Sequence, residues 1–414
     1  MPLTYSWSLP AGCSVSDASP AGSYDAYFTD VLTQVSGGPV RTYGWKASDY
    51  SITLLDTHTH DGNSWTVDGQ TISVSTKSGR LVSITGANQA ARDSALTAAI
   101  ADVQPGDTIV CDAGTYTGKY DPNSWNNTQF VLNSAESGTA SQPVHLTAAA
   151  GASVVFDRTG SSAGNFYAGR LDVAERCDYW NVSALYLKGT EDNIYGGGVT
   201  SDDAHPESGG RFWRVVGCTA ERTNNDNNVG QFEWEGDGWI VLGNTFLNPL
   251  SGTINNQAHA IYVDNGADNC EIAYNRFVER REGFIVMFHQ DGTAMQYDNN
   301  WVHHNYFQPH GGAGSGNARG FSHSNVSDTS TCLVEDNYFD GVGISGDFGP
   351  MMIYRGLVTS KRNHFENCVG NANMETDTLM GGSRHLYYGQ GADANTSTGA
   401  LGMFAGAAGD RSGI

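Results

Sequence analysis

The tripeptide Asn-x-Phe recurs through the second half of the chain, as Asn244-Thr-Phe246, Asn275-Arg-Phe277, Asn305-Tyr-Phe307, Asn337-Tyr-Phe339 and Asn363-His-Phe365. The copies are 31, 30, 32 and 26 residues apart, an interval typical of one solenoid coil per repeat. Asparagine tolerates left-handed backbone at a tight corner, and stacked amides can hydrogen-bond from coil to coil. The Phe two residues later points to the interior. The repeat therefore predicts an all-β fold, a single-stranded right-handed parallel β-helix.

Other segments fit the same coils. Gly217-Cys218-Thr219 has the position of an earlier, degenerate copy of the corner. Four runs between the corners predict a second stacked sheet, at Ala260 to Val263, Phe284 to Phe288, Gly320 to His323 and Met351 to Tyr354. In such solenoids a sheet of this kind commonly carries the ligand groove.

The chain before the repeats has a different composition. Residues 1–88 are rich in Ser, Gly, Thr and aromatics, with strand-like runs at 72–76 and 81–85, and predict a small β-rich region that serves as an attachment module. Residues 93–103 predict an amphipathic helix with an Asp or Ser N-cap, because Leu96, Ile100 and Val103 fall on one face. We expect this helix to cover the open end of the solenoid.

The changes in composition along the chain predict three regions. They are the N-terminal region at 1–88, the β-helix with its capping helix at 89–370, and a Gly-rich C-terminal cap or tail at 371–414.

Charge and composition limit the partners. Lys and Arg total 22 against 44 Asp and Glu, so the net charge is −22 at pH 7, which disfavours nucleic acid and anionic lipid as partners. No apolar stretch is long enough to span a bilayer, so we expect no membrane insertion. No signal peptide is visible at the N-terminus, and we expect an extracellular or virion-associated protein. The seven scattered cysteines indicate buried thiols rather than zinc ligands or disulfides.

Three segments near residue 100 carry a family resemblance, namely Ala99-Ile-Ala-Asp-Val-Gln-Pro-Gly-Asp-Thr-Ile-Val110, Ala113-Gly-Thr-Tyr116 and Gln142-Pro-Val-His-Leu-Thr-Ala148. Together they resemble the opening of the chondroitinase B and alginate lyase family of β-helix polysaccharide lyases. The resemblance covers residues 90–160 well and continues more loosely to about residue 280. The chain is also similar to phage tailspike-like β-helix proteins.

The resemblance implies a polysaccharide substrate and a calcium site. The family carries Glu-x-Glu as calcium ligands shortly before its Asn-Thr-Phe-like corner, and Glu233-Trp-Glu235 is similar, which implies Ca²⁺ at Glu233 and Glu235. The chain departs from the family at both catalytic positions. The family has a catalytic Lys between Glu-x-Glu and the corner, but Gly236 to Gly243 contains no Lys. The family's catalytic Arg belongs to an Arg-His-Gly on the next strand, where this chain has Asn256-Gln-Ala-His259.

Strand alternation predicts which side chains line a groove. In Gln231 to Glu235 the aromatic residues point inward and the two glutamates outward, and in Ala260 to Asp264 the outward residues are Tyr262 and Asp264. Aligning the following turns brings His289 and His323 into neighbouring rows. With Arg355 they are predicted to bind substrate.

Two chemistries fit such a groove. Glu235 and Asp264 are candidates for the acid and base of glycoside hydrolysis. Alternatively, a lyase would use His259 or Tyr262 as base, with Arg281 neutralising a uronate carboxylate.

We therefore expect a carbohydrate-active protein that binds and cleaves an acidic polysaccharide, as a lyase or a glycosidase. The alternative is a non-catalytic structural or receptor-binding protein, such as a phage tailspike or surface fibre. A homotrimer and virion proteins stay open as partners.

Overall fold

A computed structural model describes the following residues of the chain: 7–8, 53–54, 64–67, 70–73, 80–117, 130–140, 142–149, 151–159, 165–170, 175–189, 193–196, 209–223, 230–248, 259–279, 284–289, 295–309, 319–324, 326–327, 329–343, 348–353, 355–366, 368, 371–374, 386–387, 396–398 and 402–403.

Three sheets form the body of the protein, and the chain visits them in turn as sheet 1, sheet 2 and sheet 3. Sheet 1 has 11 strands, namely Leu81–Ile84, Thr108–Cys111, Val144–Ala148, Trp180–Ser183, Arg214–Val216, Ile240–Leu242, Glu271–Ala273, Asn300–His303, Thr331–Glu335, Leu357–Lys361 and Leu386–Tyr387. Sheet 2 has 10 strands, namely Gly114–Tyr116, Val154–Asp157, Tyr186–Gly189, Thr219–Arg222, Thr245–Leu247, Arg276–Glu279, Tyr306–Pro309, Tyr338–Asp340, His364–Glu366 and Thr396–Thr398.

Sheet 3 has 11 strands, namely Phe130–Leu132, Phe166–Arg170, Glu175–Arg176, Ile194–Gly196, Gly230–Trp234, His259–Val263, Phe284–Phe288, Arg319–His323, Phe348–Ile353, Asn371–Met374 and Gly402–Met403. Within the three sheets, every described pairing is parallel except that of Glu175–Arg176 with Phe166–Arg170. Two separate antiparallel pairs join Trp7–Ser8 to Thr53–Leu54 and Ser64–Val67 to Gln70–Ser73.

Each strand pairs with the strand one coil later, as Thr245 with Arg276 and Arg276 with Tyr306 in sheet 2. This is the right-handed parallel β-helix that the repeat predicts, and that prediction is confirmed. Sheet 3 contains the four strands expected between the corners, with bounds that differ by up to three residues.

The asparagine ladder lies at the corner between sheets 1 and 2. The Asn275 side-chain oxygen accepts the Asn244 backbone N–H at 2.9 Å, and Asn305, Asn337 and Asn363 accept the N–H of the preceding Asn at 3.0 Å each. Asn244 accepts the Cys218 N–H at 2.9 Å, which confirms the degenerate copy at Cys218. The amide stack predicted from the repeat is therefore present.

The left-handed residue at this corner differs from the prediction. It is the residue before each Asn, with φ of 63° at Gly243, 57° at Tyr274, 52° at His304, 54° at Asp336 and 53° at Arg362. The backbone reversal therefore falls on the residue before each Asn, and the Asn side chain accepts the N–H of the coil before it.

Aromatic side chains fill the interior. The phenylalanines of the repeat stack from Phe246 to Phe365 with centroid distances of 4.8, 4.9, 4.4 and 4.9 Å. Trp234 and Trp239 belong to a second interior stack and are fully buried. Burying large rings on both sides of the core supplies much of the hydrophobic stabilisation.

The β-helix extends beyond the predicted boundaries at residues 89 and 370. Strand Leu81–Ile84 pairs in parallel with Thr108–Cys111, so sheet 1 begins inside the segment assigned to the N-terminal region. Strands Thr396–Thr398 and Gly402–Met403 continue sheets 2 and 3 beyond residue 370. The helix predicted at 93–103 begins at Gln89 and ends at Ala101. It begins earlier than predicted because the Asn88 side chain caps it by accepting the Ala91 N–H at 3.0 Å.

That helix packs on the first coil. Leu96, Ile100 and Val103 are buried as predicted. Asp93 accepts both the backbone N–H of Thr117 at 3.0 Å and its hydroxyl at 2.9 Å. Among the described residues, no helix has the length and apolar character needed to cross a bilayer. The six described cysteines are buried free thiols, as their scattered positions in the sequence predict.

Candidate functional site

The outer face of sheet 3 carries two columns of side chains. In the first column Tyr195 pairs in register with Glu233, Glu233 with Tyr262, and Tyr262 with Met287. The second column lies just beyond the strand ends. Asp264 N–H donates to Trp234 O at 2.9 Å and His289 N–H to Val263 O at 3.1 Å, so this column is Glu235, Asp264 and His289.

Parallel register explains why these side chains meet. Phe232 and Trp234 alternate with Glu233 and Glu235, and the aromatic pair is fully buried in the core. Ile261 and Val263 do the same for the next coil. Successive strands are about 4.8 Å apart, so each outward residue has its counterpart in the next coil as its nearest neighbour.

Tyr262 is the centre of a hydrogen-bonded aromatic group. Its hydroxyl lies 3.0 Å from His289 Nδ1, and its ring stacks on His259 with a centroid distance of 5.2 Å and an interplanar angle of 16°. His259 Nδ1 lies 2.7 Å from the Phe284 carbonyl oxygen, and the Tyr297 hydroxyl donates to His289 O at 2.8 Å. Both histidines are therefore held in defined orientations beside the tyrosine.

The carboxylates lie next to this group. Glu233 accepts the Gly230 N–H at 3.1 Å, and the Tyr195 hydroxyl lies 3.5 Å from Glu235 Oε1. Glu233 and Glu235 are only 5% and 4% exposed, although they point away from the core, whereas Asp264 is partly exposed. Three carboxylates, a tyrosine and two histidines thus share one patch, which we call the sheet 3 cluster: Glu233, Glu235, Asp264, Tyr262, His259 and His289.

The calcium site that the resemblance implies rests on Glu233 and Glu235. Calcium takes about six to eight oxygen ligands, and Glu233 accepts the Gly230 N–H. Among the residues that the structure describes, no group of three or more His, Cys, Asp or Glu side chains is arranged to hold a metal ion. Ca²⁺ at Glu233 and Glu235 stays a prediction.

Three predicted site residues are not part of the cluster. His323 is in register with Phe288 and lies fully buried, its Nδ1 2.8 Å from the Arg355 carbonyl oxygen, so it belongs to the interior face and not to a groove. Arg355 follows a strand three coils after Asp264, about 14 Å along the axis. Arg281 lies outside the described residues.

Tyr195 is the contributor that sequence reasoning missed. Strand Ile194–Gly196 has only 3 residues and precedes the Asn-x-Phe repeat. The alternation of apolar Ile194 with Tyr195 indicates that Tyr195 points outward. Three residues are too few to establish this orientation without the register of the next coil.

Comparisons with known proteins show similarity of fold alone. No protein-family model and no curated protein sequence matches the chain. Among solved structures, an alginate lyase from Paenibacillus sp. str. FPU-7 is 14% identical over 78% of this chain and 98% of its own, with a TM-score of 0.40. ORF18 of Geobacillus virus E2 is 14% identical over 91% of this chain and 71% of its own, with a TM-score of 0.49.

A polygalacturonase from Erwinia carotovora ssp. carotovora is 11% identical over 80% of this chain and 98% of its own, with a TM-score of 0.40. The similar structures thus include an alginate lyase, a polygalacturonase and a viral protein.

Proposed function

We propose that this chain is an extracellular or virion-borne carbohydrate-active protein that binds a polysaccharide along the outer face of sheet 3 and hydrolyses it. The observation that carries the proposal is the register that sets Glu235 and Asp264 side by side in successive coils.

The two residues suit cleavage of a glycosidic bond by a pair of carboxyl groups. Their strands are about 4.8 Å apart, which places both carboxyl groups within reach of one glycosidic bond. One carboxylate would attack the anomeric carbon while the other carboxyl group protonates the leaving oxygen, and water activated by the second group would then hydrolyse the glycosyl-enzyme bond. Glu235 is buried and Asp264 is partly exposed, and two carboxyls in different environments can take these opposite roles.

The exposed part of the face lies beside the carboxylates. Asp264, Met287 and His289 are partly exposed, whereas Ser322 and Met352, which continue the outward column in the next two coils, are buried. A sugar chain can therefore lie over the coils of Asp264 and His289 while one glycosidic bond reaches the carboxylates.

The second candidate reaction is lyase cleavage of an acidic polysaccharide, and the Tyr262–His289 contact favours it. The Tyr262 hydroxyl, 3.0 Å from His289 Nδ1, can give its own proton to the imidazole as its oxygen takes the proton from the carbon next to a uronate carboxylate. The glycosidic oxygen would then leave with a proton returned by this pair. Arg281 remains the predicted neutralising group for that carboxylate.

A panel assay tests the proposal. The protein is incubated with alginate, pectate, chondroitin and bacterial capsular polysaccharides, with and without a calcium chelator, while new reducing ends and unsaturated uronate absorbance are recorded. Hydrolysis produces reducing ends alone, and elimination produces both signals. Binding without either signal would contradict cleavage and favour a receptor-binding fibre, and neither binding nor cleavage on the panel would overturn the carbohydrate proposal.

A further inference from the structure

Two aromatic rings lie stacked on the outside of the corner between sheets 3 and 1. Tyr179 and Phe212 occupy the same position in consecutive coils, because the Tyr179 N–H donates to Arg211 O at 2.9 Å. Their centroids are 4.7 Å apart and their planes differ by 13°. Phe212 is 36% exposed and Tyr179 is partly exposed. The corner therefore presents an aromatic surface to solvent.

The backbone makes this arrangement costly. Tyr179 and Phe212 both have φ of 60°, a left-handed conformation that is an outlier for bulky residues. Later coils place residues suited to it at the same corner, with φ of 70° at Gly238, 56° at Asn269 and 56° at Asn299. Closing the corner therefore does not require aromatic residues, and their presence needs a reason other than the turn.

The rings are rigidly supported. Trp180 and Trp213, the next residues along each coil, stack inside the core with a centroid distance of 5.8 Å. Each aromatic dipeptide thus puts one ring inside and one outside. A Cβ at Gly238 would lie 2.5 Å from Phe212 Cδ1, so only glycine there leaves room for the ring. A surface held this way loses little conformational entropy when it binds a ligand.

Charged groups border the rings. The Arg211 guanidinium lies 5.6 Å from the centre of the Phe212 ring. Asp178 Oδ2 is 3.5 Å from Arg211 Nη2 and 3.1 Å from Arg176 Nε. Arg176 and Arg211 are 32% and 29% exposed. The exposed edges of the stacked rings, beside guanidinium groups that can donate to sugar hydroxyls, form a site suited to carbohydrate.

The rings lie close to the sheet 3 cluster. A Cβ at Gly209 would lie 3.1 Å from Glu235 Cβ, and Gly209 precedes Phe212 by three residues, at most about 10 Å of chain. One polysaccharide chain a few sugars long can therefore touch both places.

We propose that Tyr179 and Phe212, with Arg211 and Asp178, form an accessory subsite that binds pyranose rings of the polysaccharide chain cleaved at the sheet 3 cluster. The subsite rests on the proposed function for its ligand class, but it binds without taking part in the chemistry.

Asparagine substitutions provide the test. Tyr179→Asn, Phe212→Asn and the double variant place at this corner the residue that later coils use, so the fold should keep or gain thermal stability. Leu357→Asn, which removes a 39% exposed apolar side chain elsewhere, is the matched control. Retardation in native gels containing each polysaccharide of the panel measures binding, and new reducing ends measure cleavage.

We expect the double variant to bind roughly tenfold more weakly, with an unchanged or higher melting temperature and with Leu357→Asn binding as the unaltered protein does. Repeating the gels in a Glu235→Gln background removes cleavage as a cause of altered migration. Unchanged retardation of the double variant, while the unaltered protein cuts glycan, would overturn the subsite and leave the proposed function standing.

Weaker retardation combined with no reducing ends from any protein would support the subsite and overturn the hydrolase. A lowered melting temperature with unchanged binding would show that the rings serve only to pack the corner, and would overturn the subsite.

Discussion

The side-chain oxygen of Asn305 accepts two hydrogen bonds from Asn275, one from its backbone N–H and one from its side-chain amide, each at 3.0 Å. The Asn305 amide donates in turn to Ile272 O at 2.8 Å. Asn275 and Asn305 are fully buried. A backbone donor of one coil therefore depends on the side chain of the next, which adds a link between coils beyond the strand pairing.

Replacing Asn305 tests that link. Asn305→Ala should lower the free energy of unfolding by about 3 kcal/mol, because buried donors and a carbonyl lose their partner. Urea denaturation measures the change. Asn299→Gly is the control, since Asn299 is exposed and left-handed with φ of 56°, and it should stay within about 0.5 kcal/mol. Equal effects of the two substitutions would rule out a special role for the ladder.

The proposed catalytic pair has its own test. Glu235→Gln and Asp264→Asn should each reduce cleavage of the polysaccharide identified by the panel at least about 100-fold, without lowering the melting temperature. Asp157→Asn, on the outer face of sheet 2, removes a carboxylate from a different sheet and an earlier coil and should leave cleavage unchanged. Full activity in both site variants would remove the pair from the mechanism.

Tyr262→Phe separates the two candidate reactions. It removes the hydroxyl bonded to His289 and keeps the ring stacked on His259. For hydrolysis by the carboxylates we expect a loss of less than about tenfold, whereas loss of a general base costs about 100- to 10,000-fold. Initial rates of reducing-end formation measure the change, and a large loss together with uronate absorbance would establish the lyase.

Acidic residues at the corner between sheets 3 and 1 predict a dependence of stability on pH. Burial raises the pKa of Asp268, the Asp298 N–H that it accepts opposes this rise, and the neighbouring carboxylates of Asp237 and Asp298 add to it. The folded state therefore holds this proton to a higher pH than the unfolded state does. Stability should fall as pH rises from the unfolded value of about 3.9 through the folded pKa.

Asp268→Asn keeps the acceptor oxygen for Asp298 and removes the charge. It should raise the free energy of unfolding at neutral pH, with the gain disappearing as the pH falls below about 4. Urea denaturation at several pH values measures this. A gain that is the same at pH 3 and pH 7 would contradict the electrostatic cause.

The repeat made the architecture predictable because each Asn and Phe has the same task in every coil. The identity of the left-handed residue was not predictable from the repeat, since that position holds Gly243, Tyr274, His304, Asp336 and Arg362 and has no constant chemistry. The start of the helix was misplaced because Asn88, and not Asp93 or Ser94, is its cap.

The candidate site was only partly predictable. Alternation correctly placed Glu233, Glu235 and Tyr262 on one face. The same rule applied to Arg319–His323 puts His323 on the face of Phe321, toward the core. The prediction that His323 lines the groove came from aligning the turns instead, and it was wrong. Tyr195 needed the register of the neighbouring coil, which a sequence without a repeat at that point does not contain.

The interior tryptophans have an optical consequence. Trp180, Trp213, Trp239 and Trp234 stack in a row with centroid distances of 5.8, 5.4 and 5.0 Å and nearly parallel planes. Indoles this close couple their electronic excitations, so circular dichroism of the folded protein should contain an exciton signal wherever neighbouring indoles are rotated within these planes. The pairs Trp180–Trp213 and Trp213–Trp239 join successive coils, whereas Trp234 and Trp239 belong to one coil. The part of the signal that comes from the first two pairs should therefore fall when those coils move apart, even if their strands persist.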